Sequence, residues 1–179
     1  MFDLGPAADE MTRLVTAVSD EQLAARTPCS EWTVADLLAH VHQFATVFTD
    51  NARKAPTCPP DSLHDDWRAA IPEQLSELAD AWRQDSAWHG RVSAGGVDMA
   101  AADNAIVCIE ELTMHGWDLA QATGQHVVVD DAWLDQVDVF FELFGERPFG
   151  PSLPAPDGAT RLHRTLMRTG RDPSWTPAP

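Results

Sequence analysis

The run Ala105-Ile106-Val107-Cys108-Ile109-Glu110-Glu111-Leu112-Thr113-Met114-His115-Gly116-Trp117-Asp118-Leu119-Ala120 carries its apolar residues at helical spacing. On a wheel turning about 100° per residue, Ala105, Cys108, Ile109, Leu112, Gly116 and Leu119 gather into one stripe. The spacing predicts a helix over 99–123, closed by Gly124, because glycine turns a helix end into the left-handed region without a Cβ penalty. Glu111 and His115 lie four residues apart on one shoulder of that stripe, so a helix stacks a carboxylate and an imidazole on the same face.

The same periodicity extends outward in both directions. Met11, Leu14, Val15, Val18 and Leu23 predict a first helix over 6–25, broken by Thr27-Pro28-Cys29-Ser30. Thr33 with Asp36 three residues on forms a capping box for a second helix, whose stripe is Val34, Leu37, Leu38, Val41, Ala45 and Phe48 and which fades near Lys54. Ser62 and Asp65 repeat the capping pattern for a third helix reaching Gln84, with Trp67, Ile71, Leu75, Leu78 and Trp82 inward and Pro72 expected to kink or divide it. Residues 86–98, with Gly90, Gly95 and Gly96, read as either a short hairpin or a long connection. A fifth helix opens at Asp130 and ends at Gly145; Pro148, Pro151, Pro154 and Pro156 then make an extended strap before a short helix over 159–168. Amphipathic helices without convincing strands argue for an all-α fold, a helix bundle in one domain spanning 1–179.

Composition narrows the function. Twenty-eight acids against 12 bases give a formal charge of −16, which repels a phosphate backbone and disfavours nucleic acid as a partner. No apolar stretch reaches the roughly 18 residues of a membrane span, and the acidic N-terminus lacks the basic-then-apolar pattern of a signal peptide. A cytoplasmic protein with no membrane partner is expected. Cys29, Cys58 and Cys108 are odd in number and contain no Cys-x-x-Cys pair, so free thiols are the plain reading.

His40 lies on the shoulder of the second helix's stripe, beside Leu37 and Phe44. If the second and fourth helices pack side by side, His40, Glu111 and His115 offer two nitrogens and one oxygen to a single metal. Three protein ligands with an open fourth position is the pattern of a catalytic zinc. The alternative is two half-buried histidines with ordinary hydrogen-bond partners and a solvated acid. Asp118 can hold the ring N–H of His115 or lie on the surface. Cys108 is a possible fourth ligand but reads better as a buried thiol. His42 points away from His40, and His64, His89, His126 and His163 have no partner at ligand spacing. Trp32 and Trp117 are candidates to line a pocket.

Thr27-Pro28-Cys29-Ser30-Glu31-Trp32-Thr33-Val34-Ala35-Asp36-Leu37-Leu38-Ala39-His40-Val41 resembles the entry helix of the actinobacterial DinB-like proteins, which are related to the metal-binding domain of mycothiol-dependent maleylpyruvate isomerase. Glu111-x-x-x-His115-x-Trp117-Asp118-Leu119-Ala120 resembles the family's second motif, and Phe149-Gly150-Pro151 through Gly170-Arg171-Asp172-Pro173-Ser174-Trp175 its C-terminal strap. The resemblance implies a DinB-like four-helix bundle with a proline-rich strap and a short final helix. It implies a divalent metal on His40, Glu111 and His115, with zinc in first place and nickel, iron or manganese not excluded by the ligand types. It further implies a metal-dependent thiol transferase or isomerase, in which a low-molecular-weight thiol such as mycothiol is activated at the metal and meets a small electrophile. Arg171 is a candidate to hold carboxylates of the thiol. The isomerase carries a further C-terminal domain and this chain ends at Pro179, so isomerisation of maleylpyruvate is not expected to transfer. A hydrolase using metal-activated water, with Asp118 or Glu110 as base, and a non-catalytic bundle binding a small ligand remain alternatives. Oligomeric state, including a homodimer, is left open.

Overall fold

The computed structural model describes residues 1–29, 31–146 and 149–177. Ser30 and Pro148, read above as part of the break before the second helix and as the head of the strap, lie outside them. The elements are α1 (Gly5–Thr16), α2 (Val34–Arg53), α3 (Trp67–Trp82), β1 (Arg91–Ala94), β2 (Val97–Ala100), α4 (Ala101–Thr123), α5 (Asp131–Phe144) and α6 (Arg161–Arg168). The fold is mostly helical with a small two-stranded sheet, so it is not strictly all-α. The exception has a local cause. Gly95 and Gly96, at φ of 56° and 78°, supply the left-handed pair that a two-residue hairpin turn requires, and Ala94 pairs with Val97 across it.

Helices α1 and α2 each pack against both α3 and α4, and α5 covers another side of α4. Leu14, Leu37, Leu38, Ile71, Leu75, Leu78, Ile109 and Leu119 fill the main core. A second cluster joins Ile106, Met114 and Trp117 of α4 to Val137, Phe140 and Phe141 of α5 and Leu166 of α6. Because α4 is enclosed from two sides, 17 of its 23 residues are buried, including Glu110, His115 and Asp118. Trp117, a candidate pocket residue, belongs to that second cluster instead.

Helix limits depart from the sequence reading where local polar groups compete with the backbone. The first helix stops at Thr16, because Ser19 and Gln22 form their own capping box around a short 3-10 turn at Asp20–Gln22. The third begins at Trp67, not at the Ser62–Asp65 pattern, since the Ser62 hydroxyl donates to Asp61 Oδ1 at 3.2 Å instead of capping. Pro72 leaves α3 in one piece. A proline inside a helix costs about 3 kcal/mol, and Trp67, Ile71, Leu75, Leu78 and Trp82 are all buried along one stripe that outweighs it. The fourth helix starts at Ala101 because Met99 and Ala100 are held in β2. Three other ends agree: Thr33 caps α2 with Asp36, Gly124 closes α4 at φ 68°, and Asp130 caps α5. Among the described residues no helix is long and apolar enough to cross a membrane.

Candidate metal centre

The capping box at Thr33 fixes where α2 begins, and therefore which face His40 occupies. The loop before it is fixed too: Arg26 bridges Thr33, and the Thr27 hydroxyl lies 3.1 Å from the carbonyl oxygens of both Cys29 and Trp32. This folds Cys29 and Trp32 back over the junction of α2 and α4. Trp32 packs against His40 and His115, with ring centroids at 4.7 and 5.8 Å.

His40, Glu111 and His115 are brought together. Glu111 Oε2 lies 3.2 Å from His40 Nε2 and 3.0 Å from His115 Nε2. Donor atoms of the three lie within 4.8 Å of one another. Asp118 is fully buried and meets His115 Nδ1 at 2.9 Å, so the surface alternative for it does not hold. A carboxylate is acceptor-only, so Nδ1 donates its proton to Asp118, while Nε2 faces Glu111 and His40, where a metal ion would take the place of its proton. Arg171, from the loop after α6, completes the chain with a two-pronged contact, Nε to Oδ1 at 2.9 Å and Nη2 to Oδ2 at 2.8 Å. Nε and Nη2 of Arg171 are thereby engaged by Asp118, and the residue also lines the adjoining cavity.

Cys29 was missed as a site residue. Its thiol donates to Asp118 Oδ2 at 3.1 Å and lies 3.9 Å from His115 Nδ1, forming a second donor group with those two residues. The signal was present, since Cys29 belongs to the same motif as Trp32 and His40, but a single cysteine without a spaced partner carries no ligand pattern by itself. The two groups share His115 and differ in charge. A cation among Cys29, His115 and Asp118 would compete with a guanidinium already 2.8 Å from the same carboxylate. No cation among the described residues pairs with Glu111 apart from the two imidazoles, which leaves that group open to an ion.

The electrostatics agree. Burial would raise the Asp118 carboxyl, but Arg171 and the His115 ring hold it well below the usual range. Burial would likewise raise Glu111, and its hydrogen bonds with His115 and His40 carry it well below. Burial would lower the His115 ring, yet Asp118, Cys29 and Glu111 hold it well above its ordinary value. The His115 proton and the Arg171 guanidinium balance the two carboxylates, a divalent ion would take the place of that proton, and two nitrogens with one oxygen are a donor set that zinc accepts. Glu110 goes the other way: burial, then the neighbouring Glu111, push its carboxyl up to about 8.

The remaining histidines and cysteines stay apart. His42 faces His64 at 6.1 Å between ring centroids, with its Nδ1 buried and unpartnered among the described residues. Cys108 is fully buried, and burial raises its thiol. A cavity of about 640 Å³ opens directly from the centre, lined by His40, Glu110, Glu111, His115, Cys29 and Arg171 on one side and by apolar residues of α2, α5 and the hairpin on the other.

Comparison with curated proteins and with solved structures gives no match. A family model described as "Mycothiol maleylpyruvate isomerase N-terminal domain" matches residues 4–120, from the head of α1 through the Glu111–Asp118 motif. With well over half of its length inside that match, the chain belongs to the mycothiol maleylpyruvate isomerase N-terminal domain family.

Proposed function

We propose that this protein is a metal-dependent thiol transferase or isomerase, joining a low-molecular-weight thiol of the mycothiol type to a small electrophile. His40, Glu111 and His115 are the proposed ligands of a divalent metal, zinc in first place. The observation that carries the reading is the convergence of these side chains from two helices, at 3.2 and 3.0 Å around Glu111 Oε2, on the wall of a cavity large enough for two small reactants. We read residues 1–179 as one DinB-like domain in which α1 to α4 form the four-helix bundle, located in the cytoplasm, with a homodimer as the assembly to test.

A bound divalent ion would supply Lewis acidity that favours the ionised, nucleophilic form of a thiol. The chain's own residues do the rest. Asp118 keeps the Nδ1 proton of His115 in place, so that Nε2 stays available, and Arg171 keeps Asp118 ionised and oriented. Trp32 and Phe44 pack against His115 and shield it from water. Because the nucleophile comes with the cosubstrate, no protein serine or cysteine is required.

The hydrolytic alternative asks for a general base beside the metal. Asp118 has both oxygens engaged by Arg171, one of them also by His115, which leaves Glu110 alone for that role. Thiol dependence separates the two readings. Zinc-loaded protein should consume monobromobimane faster than the uncatalysed reaction only when mycothiol is present, and His40→Ala should abolish the acceleration. Hydrolysis of activated esters at the same rate with and without thiol would contradict the proposal.

A further inference from the structure

Arg171 reaches Asp118 from the end of α6, and its direction is set one residue earlier. The Arg171 N–H donates to the Leu166 carbonyl at 3.0 Å, and the Gly170 N–H to the Met167 carbonyl at 3.1 Å. These two bonds close α6 as a Schellman turn, whose first residue past the helix takes the left-handed conformation. Gly170 does so at φ 76°. At the chain's other left-handed glycines a Cβ would meet nothing within 4 Å, whereas at Gly170 it would lie 3.0 Å from the Pro151 carbonyl oxygen and 3.4 Å from the Gly150 carbonyl carbon. The strap therefore crosses the end of α6 at this residue, and the Leu153 N–H ties it there through the Met167 carbonyl at 2.8 Å. Only glycine meets both demands, the left-handed φ and the close approach.

Two cavity-lining residues hang on this crossing. Phe149 leads into it, with its ring 5.6 and 5.9 Å from those of Phe140 and Phe141. Arg171 leaves it, with its side chain 10% exposed and two bonds to buried Asp118. Gly170 itself does not line the cavity, and the whole crossing lies beyond residues 4–120 of the family match. Ordinary contact begins at 3.4 Å, so a side chain at position 170 must push the strap and the turn apart. A guanidinium held in a two-pronged fork tolerates little displacement. We propose that Gly170 is a positioning residue of the metal centre: the strap crossing at it aims Arg171 at Asp118 and so holds the His115 ring in the orientation that ligation requires. The inference rests on the proposed metal centre and adds to it a residue that acts only through Arg171.

Asparagine tolerates the left-handed region better than most side chains, so Gly170→Asn isolates the close approach. Gly158→Asn is the control, at φ 81° with open space around it. One readout needs no metal: the Nδ1–H resonance of His115 in nitrogen-15 spectra of the full chain. It should stand unchanged in Gly158→Asn and shift or exchange away in Gly170→Asn. The other is zinc titration, in which the Kd should rise at least about tenfold in Gly170→Asn and less than about twofold in the control. In an Arg171→Met background Gly170→Asn should add less than about twofold, since nothing is left for it to move. Gly170→Ala, which adds only the Cβ, carries the same expectations should the longer side chain impede folding. An unchanged ring proton and zinc affinity in the Gly170 variants would overturn the proposal. So would an equal effect of Gly158→Asn, or a full further loss on top of Arg171→Met. A wild type that takes up no zinc would sink the metal reading instead, and the ring proton would still decide what Gly170 positions.

Discussion

Replacing Arg171 with methionine removes the guanidinium while keeping an unbranched apolar stem in its place. Asp118, at 0% exposure, is then left with a buried carboxylate and only His115 and the Cys29 thiol to compensate it. Removing one partner of a buried ion pair costs about 3–5 kcal/mol, because the other charge stays out of water. The remaining contacts with His115 and Cys29 place the expected loss near the lower end, about 3 kcal/mol. For a chain of this size each kcal/mol lowers Tm by ~2–4 °C, so Arg171→Met should melt roughly 6–12 °C early. Urea denaturation followed by tryptophan fluorescence gives the free energy, and calorimetry the Tm. The double variant Arg171→Met with Asp118→Asn should recover part of the loss, since it no longer buries an unpaired charge. A loss below about 1 kcal/mol, the range of an exposed pair, would refute the reasoning and mean that the strap after α6 is not anchored at the centre.

Two further expectations concern the frame around the site. Glu10 takes two hydrogen bonds from Arg13, at 2.8 and 2.7 Å, and one from the Val128 N–H at 2.7 Å, tying α1 to the loop after α4. Glu10→Gln should cost about 1–2 kcal/mol at neutral pH by urea denaturation. Arg13 holds the folded pKa of Glu10 below its ordinary 4.5, so this stability is complete above that value and fades as pH falls through the lower folded one. The gap between wild type and variant should therefore close in acid, and a gap that widens there would contradict the assignment. Asn51, 5% exposed, donates to the Ser93 carbonyl at 3.0 Å and to Asn104 Oδ1 at 3.2 Å. Asn51→Ala should cost about 1–3 kcal/mol and speed amide exchange in the hairpin that walls the cavity; unchanged hairpin protection would show that something else holds it.

Much of the helical frame was legible because its signals are local. Thr33 with Asp36, Gly124 and Asp130 mark helix ends through contacts within a few residues, and the apolar stripes report burial directly. The hairpin was ambiguous because Val92, Val97 and Met99 give too short an alternation to separate a strand from a loop, and only the paired glycines hinted at the turn. The i, i+4 relation of Glu111 and His115 is local as well, and the likeness of the motif around His40 brought the third residue to it. Cys29 and Arg171 were not legible in their roles. Their contacts with Asp118 span 89 and 53 residues of chain respectively, and no periodicity encodes such a meeting. Glu110 illustrates a related limit: the sequence offers it as a possible base beside the metal, and its burial follows only from how α4 is enclosed.

The most direct test is metal content, measured by mass spectrometry on untagged protein for the wild type and for His40→Ala, His115→Ala and Cys29→Ala. The account predicts about one divalent ion per chain in the wild type and in Cys29→Ala, and loss of it in both histidine variants. A wild type that takes up no metal even after reconstitution with zinc, or an ion lost with Cys29 but kept without His40, would contradict it.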